Sequence, residues 1–135
     1  MLPPFMITPL YASLCGLLLI VLALRVVRLR QRHNVGIGDG GHKDLSLAIR
    51  VHANFVEYVP LALLLLFLLE LSRQPAWALH LLGAALFLGR VVHAWGLSLT
   101  RRASPGRVVG ITLTFIVIVV ASLWLLLVTL QRLTM

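Results

Sequence analysis

Hydrophobic residues along the chain are grouped into four long runs that short polar segments separate. Each run is long enough to cross about 30 Å of hydrocarbon as an α-helix. The runs are residues 6–27, 45–71, 76–99 and 108–130. This pattern predicts an all-α membrane protein whose fold is a bundle of four transmembrane helices.

The composition excludes a soluble alternative. Sixty per cent of the residues are hydrophobic, 12% are charged, and the mean hydropathy is +1.00. A soluble chain of 135 residues needs far more polar surface to cover one core. We therefore expect residues 1–135 to form a single transmembrane domain. The net charge of +8 comes from clusters beside the apolar runs, which is typical of membrane topology and not of nucleic-acid binding.

Short polar connections indicate which helices are neighbours in the bundle. Glycine-rich residues 36–41 (GIGDGG) follow the first run, residues 73–75 form a tight turn, and residues 104–106 break the chain before the fourth run. Short loops make the second and third helices, and the third and fourth, antiparallel neighbours.

Basic residues predict the orientation in the membrane. They flank the first and third loops and are nearly absent from the other side. By the positive-inside rule these two loops are cytoplasmic, and both termini lie in the periplasm if the source is bacterial. The flanking residues are Arg25, Arg28, Arg30, Arg32, Lys43, Arg101, Arg102 and Arg107.

The second run contains a polar stripe, in the segment RVHANFVEYVP of residues 50–60. Arg50, Asn54 and Glu57 are spaced at i, i+4 and i+7, so they lie on one helix face. A charged residue near the middle of a membrane helix costs about 2.5–3.5 kcal/mol, which makes it a functional candidate. The third run has a weaker pattern, Arg90 and His93 at i and i+3.

Two interpretations of these charges are open. Arg50 could pair with Glu57, or Glu57 with Arg90, as a structural lock between or within helices. However, Arg50 and Arg90 outnumber the single carboxylate, and pairing alone would balance the charge. A cationic cavity with one carboxylate suits a peptide-like anion that also carries an ammonium group. The five histidines have no metal-ligand spacing, so we expect no metal site.

The second-helix residues resemble a known family. Arg50, Asn54, Glu57, Tyr58 and Pro60 are similar to the signature of the MAPEG family, the membrane-associated proteins in eicosanoid and glutathione metabolism. The similarity extends over nearly the whole chain, and the stretch VVRLRQRHNVGIGDGG of residues 26–41 is most similar to the small bacterial branch.

The resemblance implies a glutathione site between adjacent subunits of a homotrimer. Glu57 would bind the ammonium of the γ-glutamyl group, Arg50 one carboxylate and Arg30 the other. Asn54 and Tyr58 match further residues that hold the glutathione backbone. On the third helix, Arg90 matches a supporting arginine, and His93 stands where leukotriene-C synthase, a member of the family, has a tyrosine that contacts glutathione.

For catalysis, the resemblance assigns Arg102 to the stabilisation of the glutathione thiolate, with Arg101 as the alternative. Matching Arg102 to the arginine of the family requires a gap of two residues in the alignment. A guanidinium beside the sulfur favours the nucleophilic thiolate. The implied activity is that of a glutathione transferase or peroxidase, with glutathione as cosubstrate and a lipophilic electrophile reaching the site through the bilayer.

His93 and Leu97 replace the two tyrosines of the third-helix pattern, so a non-catalytic alternative stays open. In this alternative the protein binds an anionic ligand or lipid at an intersubunit site. A small transporter or channel is less consistent with the sequence, because the first and fourth runs have no charge through their centres.

Overall fold

The computed structural model describes residues 6–99 and 105–134, except for the side chains of residues 97–99. Within this part of the chain the secondary structure is entirely helical, which confirms the predicted architecture. All four helices are long and apolar enough to cross a membrane. They are α1 (Ile7–His33), α2 (Lys43–Leu71), α3 (Ala76–Leu99) and α4 (Pro105–Leu133).

Three helices extend beyond the hydrophobic runs from which they were predicted. The predicted end of α1 at residue 27 is wrong, because residues 28–33 are mostly good helix formers and continue the helix into the polar region. The helix ends at Asn34, which adopts the left-handed conformation with φ 54°. Helix α2 begins at Lys43 instead of residue 45. Helix α4 begins at Pro105, where a break was expected, since proline is well suited to the first position of a helix.

Helices α2 and α3 form the centre of the bundle, and α1 and α4 each pack against both of them. The expected neighbours α2 and α3, and α3 and α4, are in contact. Buried side chains form two clusters. One includes Leu66, Leu69, Leu79, Leu86 and Val117 and joins all four helices. The other joins α1 to α2 and includes Cys15, Leu22, Val51, Phe55 and Val59.

A buried carboxylate of α2 anchors the beginning of α1. Glu70 is 7% exposed, and its two carboxylate oxygens accept hydrogen bonds of 2.8 Å from the backbone N–H groups of Ile7 and Thr8. These are N–H groups that a helix leaves without internal partners. The negative charge also lies at the positive end of the α1 dipole. Glu70 is therefore explained by structure, unlike the charges at the centre of α2.

Glycines bring α3 and α4 into close contact. A Cβ atom added to Gly110 would lie 2.4 Å from the backbone oxygen of Gly89, and one added to Gly106 would lie 3.3 Å from the Cα of Gly96. Gly106 and Gly110 form a GxxxG motif, which allows membrane helices to pack with their backbones touching. This close contact places the polar residues of α3 directly against α4.

Candidate functional site

The polar face of α2 points away from the single chain. Arg50 and Glu57 are exposed, and Asn54 is half-buried. Glu57 is the central residue of the 29-residue helix, where hydrocarbon is expected on both sides. Within the described residues, Arg50 pairs with no carboxylate, and Glu57 pairs with neither Arg50 nor Arg90. The two structural locks considered from the sequence are therefore not formed in the single chain.

Arg90 of α3 lies behind this face. Its side chain is 1% exposed, and its Nη2 donates a hydrogen bond of 2.7 Å to Oδ1 of Asn54. Its Nη1 donates a longer hydrogen bond of 3.5 Å to Oγ1 of Thr114, which in turn donates to the carbonyl oxygen of Gly110 at 2.9 Å. The guanidinium also lies 5.7 Å from the centre of the Phe55 ring, within the range of a cation–π interaction. A single network thus joins α2, α3 and α4.

This network determines how Asn54 meets a ligand. Because its amide oxygen accepts from Arg90, its NH₂ group remains to donate. No carboxylate of the described residues forms a salt bridge with Arg90, and its Nε is buried without a hydrogen-bond partner. The positive charges of Arg90 and Arg50 therefore have no carboxylate partner among the described residues. This arrangement favours a ligand that is mainly anionic.

Two other residues assigned by the resemblance contact α4. The ring of Tyr58 packs edge-to-face on Phe115, with centroids 5.1 Å apart. His93 is 6% exposed, and its Nδ1 lies 3.2 Å from the backbone oxygen of Arg107. His93 thus lies against the beginning of α4, while Arg50 and Glu57 point outward.

Arg30, which the resemblance assigns to the second carboxylate of glutathione, binds the first loop. Its Nη1 donates to the carbonyl oxygens of Val35, Gly36 and Gly38, at 3.5, 3.2 and 2.9 Å. The guanidinium therefore holds the glycine-rich loop against the end of α1. A carboxylate that bound to Arg30 would compete with these carbonyl groups for the same N–H donors.

Histidine and aspartate side chains close the same loop. Nε2 of His33 lies 2.9 Å from Oδ2 of Asp44, which joins the end of α1 to the start of α2. The ring of His33 also stacks on His42 at a centroid distance of 3.9 Å. Within the loop, the backbone N–H of Gly41 donates to Asp39, and this hydrogen bond lowers the pKa of the Asp39 carboxyl. The described residues contain no cluster of three side chains suited to a metal ion.

The predicted catalytic arginines, Arg101 and Arg102, lie outside the described residues. The side chain of Leu97 is also outside them. The thiolate-stabilising assignment consequently stays a prediction.

The contribution of α4 to the polar network was not predicted from the sequence. Thr114 is completely buried and accepts a hydrogen bond from Arg90, although α4 has no charge through its centre. The available signal was the position of Thr114, one helical turn after the GxxxG motif and hence on the face that meets α3.

Comparison with known proteins places this arrangement in a family. The model of the MAPEG family matches residues 8–127, which cover α2 and α3 completely and most of α1 and α4. The chain belongs to the MAPEG family. The sequence resemblance carried by the second helix is thereby confirmed, and the polar face of α2 is part of a MAPEG fold.

Relatives in this family cover nearly the whole chain. The inner membrane protein YecN of Escherichia coli K12 is 38% identical over 122 residues, which are 88% of this chain and 92% of YecN. An uncharacterized protein of Synechocystis, sll1147, is 32% identical over 129 residues, or 93% of this chain and 91% of the relative. No solved structure matches the chain significantly. Four spanning helices and the similarity to YecN support an integral inner membrane protein.

Proposed function

We propose that this MAPEG protein binds glutathione, or a closely similar anion, at the polar face of α2 and uses its thiol to conjugate or reduce lipophilic electrophiles. The observation that carries the proposal is the pair of exposed charges on membrane helix α2, Arg50 and Glu57, which form no ion pair within the described residues, with the buried cation Arg90 behind them. Membership of the MAPEG family supports glutathione as the ligand.

The exposure of these charges also supports assembly. Each charged side chain facing hydrocarbon near the bilayer centre costs about 2.5–3.5 kcal/mol, and such residues normally face a protein interior or a wet cavity. A second copy of the chain, packed on the polar face of α2, would remove Arg50 and Glu57 from lipid. We propose that the assembly is a homotrimer of one MAPEG domain per chain, with the ligand between adjacent subunits.

The proposed ligand matches the donors and acceptors on this face. Glutathione has two carboxylates, one ammonium and one thiol. Arg50 would bind a carboxylate, Glu57 the ammonium, and the NH₂ group of Asn54 would donate to a further oxygen. Arg30 would bind the second carboxylate in exchange for carbonyl groups of the first loop.

The proposed chemical step needs a thiolate. The guanidinium of Arg102, or of Arg101, would stabilise the ionised sulfur in a site of low polarity. With an aryl halide, the sulfur attacks the ring carbon, a C–S bond forms, the halide leaves, and the thiol proton passes to water. Both arginines flank the third loop, so we propose a site that faces the cytoplasm, with both termini on the periplasmic side.

Loss of Arg50 should abolish most of the affinity for glutathione. Glutathione is expected to raise the unfolding temperature of the purified protein, and Arg50→Ala should weaken binding by at least about tenfold because a charge-assisted hydrogen bond is lost. Thermal unfolding at a series of glutathione concentrations measures both effects. Arg28→Ala is the matched control, since Arg28 is also exposed but belongs to α1. If wild-type protein shows no shift with glutathione, the assigned site is wrong.

Turnover separates an enzyme from a protein that only binds. We expect wild-type protein to conjugate glutathione to 1-chloro-2,4-dinitrobenzene, and Arg102→Ala to lower the rate at least about tenfold while glutathione still binds. Activity that survives both Arg101→Ala and Arg102→Ala would refute the role given to these residues. Binding without turnover would favour the non-catalytic alternative, which the contact of His93 with the backbone of α4 also favours.

A further inference from the structure

A groove on the outer surface of the bundle lies between α1 and α3, on residues that the glutathione site does not use. Its volume is about 300 Å³, and its walls include Leu18 and Leu22 of α1 and Val91 and Ala94 of α3. Three further residues, Val21, Arg25 and Trp95, complete it. Trp95 is 67% exposed, so the groove is open to the surroundings of the chain.

The groove changes from apolar to cationic along the membrane normal. From Leu18 to Arg25 it follows α1 for about 10 Å, at 1.5 Å per residue. Helices α1 and α3 run in the same direction, because Tyr11 near the start of α1 contacts His80 near the start of α3. Arg25 and Trp95 are the last lining residues of their helices and therefore share one end of the groove.

This end of the groove coincides with the edge of the hydrocarbon. Arg25 is the first of four arginines, with Arg28, Arg30 and Arg32, that end α1 and mark its passage into the polar region. An exposed tryptophan is typical of the same depth. A molecule that fills the groove must therefore place an apolar chain along α1 and a negative group at the level of the headgroups.

We propose that the groove between α1 and α3 binds an anionic phospholipid, with one acyl chain along Leu18, Leu22 and Val91 and the phosphate at Arg25. Basic pockets between membrane helices are known to take the headgroups of anionic lipids. The groove lies within a single chain and its residues differ from those of the α2 face. The inference consequently does not depend on glutathione binding.

Trp95 allows a test at the groove itself. Two single-tryptophan proteins are made, one that retains Trp95 and one that retains Trp77, and each is reconstituted in phosphatidylcholine nanodiscs. A minor fraction of the lipid carries a brominated acyl chain, which quenches tryptophan fluorescence on contact. Trp77 is the internal control, because it is 71% exposed but lies at the opposite end of α3.

We expect brominated phosphatidylglycerol to quench Trp95 with an apparent affinity about fivefold that of brominated phosphatidylcholine. This ratio corresponds to the attraction between an anionic lipid and one basic residue at the membrane surface. Trp77 should show no preference. Arg25→Gln should reduce the preference at Trp95 to near one, whereas Arg28→Gln, which removes the same charge outside the groove, should preserve it. Val91→Phe fills the groove, retains Arg25 and should also abolish the preference.

Three outcomes would overturn the proposal. The first is equal quenching of Trp95 by both lipids. The second is an equal loss of preference in Arg25→Gln and Arg28→Gln, which would indicate a general surface potential. The third is protection of Trp95 from both lipids, which would show that a second copy of the chain covers the groove. Glutathione binding is expected to be unchanged in Arg25→Gln, so failure here leaves the glutathione proposal unaffected.

Discussion

Gly110→Ala should destabilise the protein by about 3 kcal/mol, at the upper end of the range for an overpacked contact. The added Cβ would lie 2.4 Å from the backbone oxygen of Gly89 and 2.7 Å from the backbone nitrogen of His93. Both are backbone atoms of α3, which a rotamer change cannot move. The substitution would therefore force α3 and α4 apart and disturb the nearby contact of Arg90 with Thr114.

Gly16→Ala is the matched control for this prediction. Gly16 also lies within a membrane helix, but a Cβ there would meet no atom within 4 Å. The same chemical change should consequently be neutral or stabilising, by up to about 1 kcal/mol from helix propensity. The free energy of unfolding in mixed detergent micelles, followed by circular dichroism, compares the two variants. Equal stability of Gly110→Ala and wild-type protein would show that α3 and α4 are not held together by this close contact.

The four helices could be predicted from the sequence because hydropathy is summed over about 20 residues and needs no knowledge of tertiary contacts. The ends of the helices could not. Residues 28–33 are polar but favour helix, so α1 continues to His33 after the hydrophobic run has ended. Hydropathy thus predicts where the membrane ends, which is a different boundary from the end of the helix.

The polar face of α2 was predictable for a similar reason. The spacing of Arg50, Asn54 and Glu57 depends only on the helical repeat. The partner of Arg90 was not predictable, because it depends on the axial register between α2 and α3. A shift of one turn would bring Arg90 near Glu57 instead of Asn54. In the structure α2 and α3 share an apolar cluster, and their register places Arg90 beside Asn54.

Which helix packs on the GxxxG motif of α4 could also not be decided from the sequence. Gly106 and Gly110 could bring α4 against a helix of another chain or of the same chain, since the motif is identical in both cases. The structure shows that α3 occupies this surface. In the homotrimer that we propose, contacts between subunits would use other surfaces, and the face of α2 with its exposed charges is the strongest candidate.

Asn54→Leu should destabilise the protein by about 3 kcal/mol, because it removes the best acceptor of a buried guanidinium. Nη2 of Arg90 would lose its 2.7 Å hydrogen bond while the charge remains 1% exposed. Arg90→Met should cost less, since Asn54 is half-buried and its amide can turn toward water or a ligand. The double variant Asn54→Leu/Arg90→Met should be about as stable as Arg90→Met alone, because no buried charge is then left without an acceptor.

A double-mutant cycle on the free energy of unfolding tests this coupling. Thr114→Val is the control, because it leaves the hydrogen bond between Arg90 and Asn54 in place. It removes the 3.5 Å contact with Arg90 and the hydrogen bond to the carbonyl oxygen of Gly110 at nearly constant volume, and should cost about 1 kcal/mol. Strictly additive losses at positions 54 and 90 would contradict the prediction that Asn54 compensates the buried charge. If coupling is found, the double variant separates stability from binding. It should fold normally and yet fail to bind glutathione, because both the donor on α2 and the cation behind it have been removed.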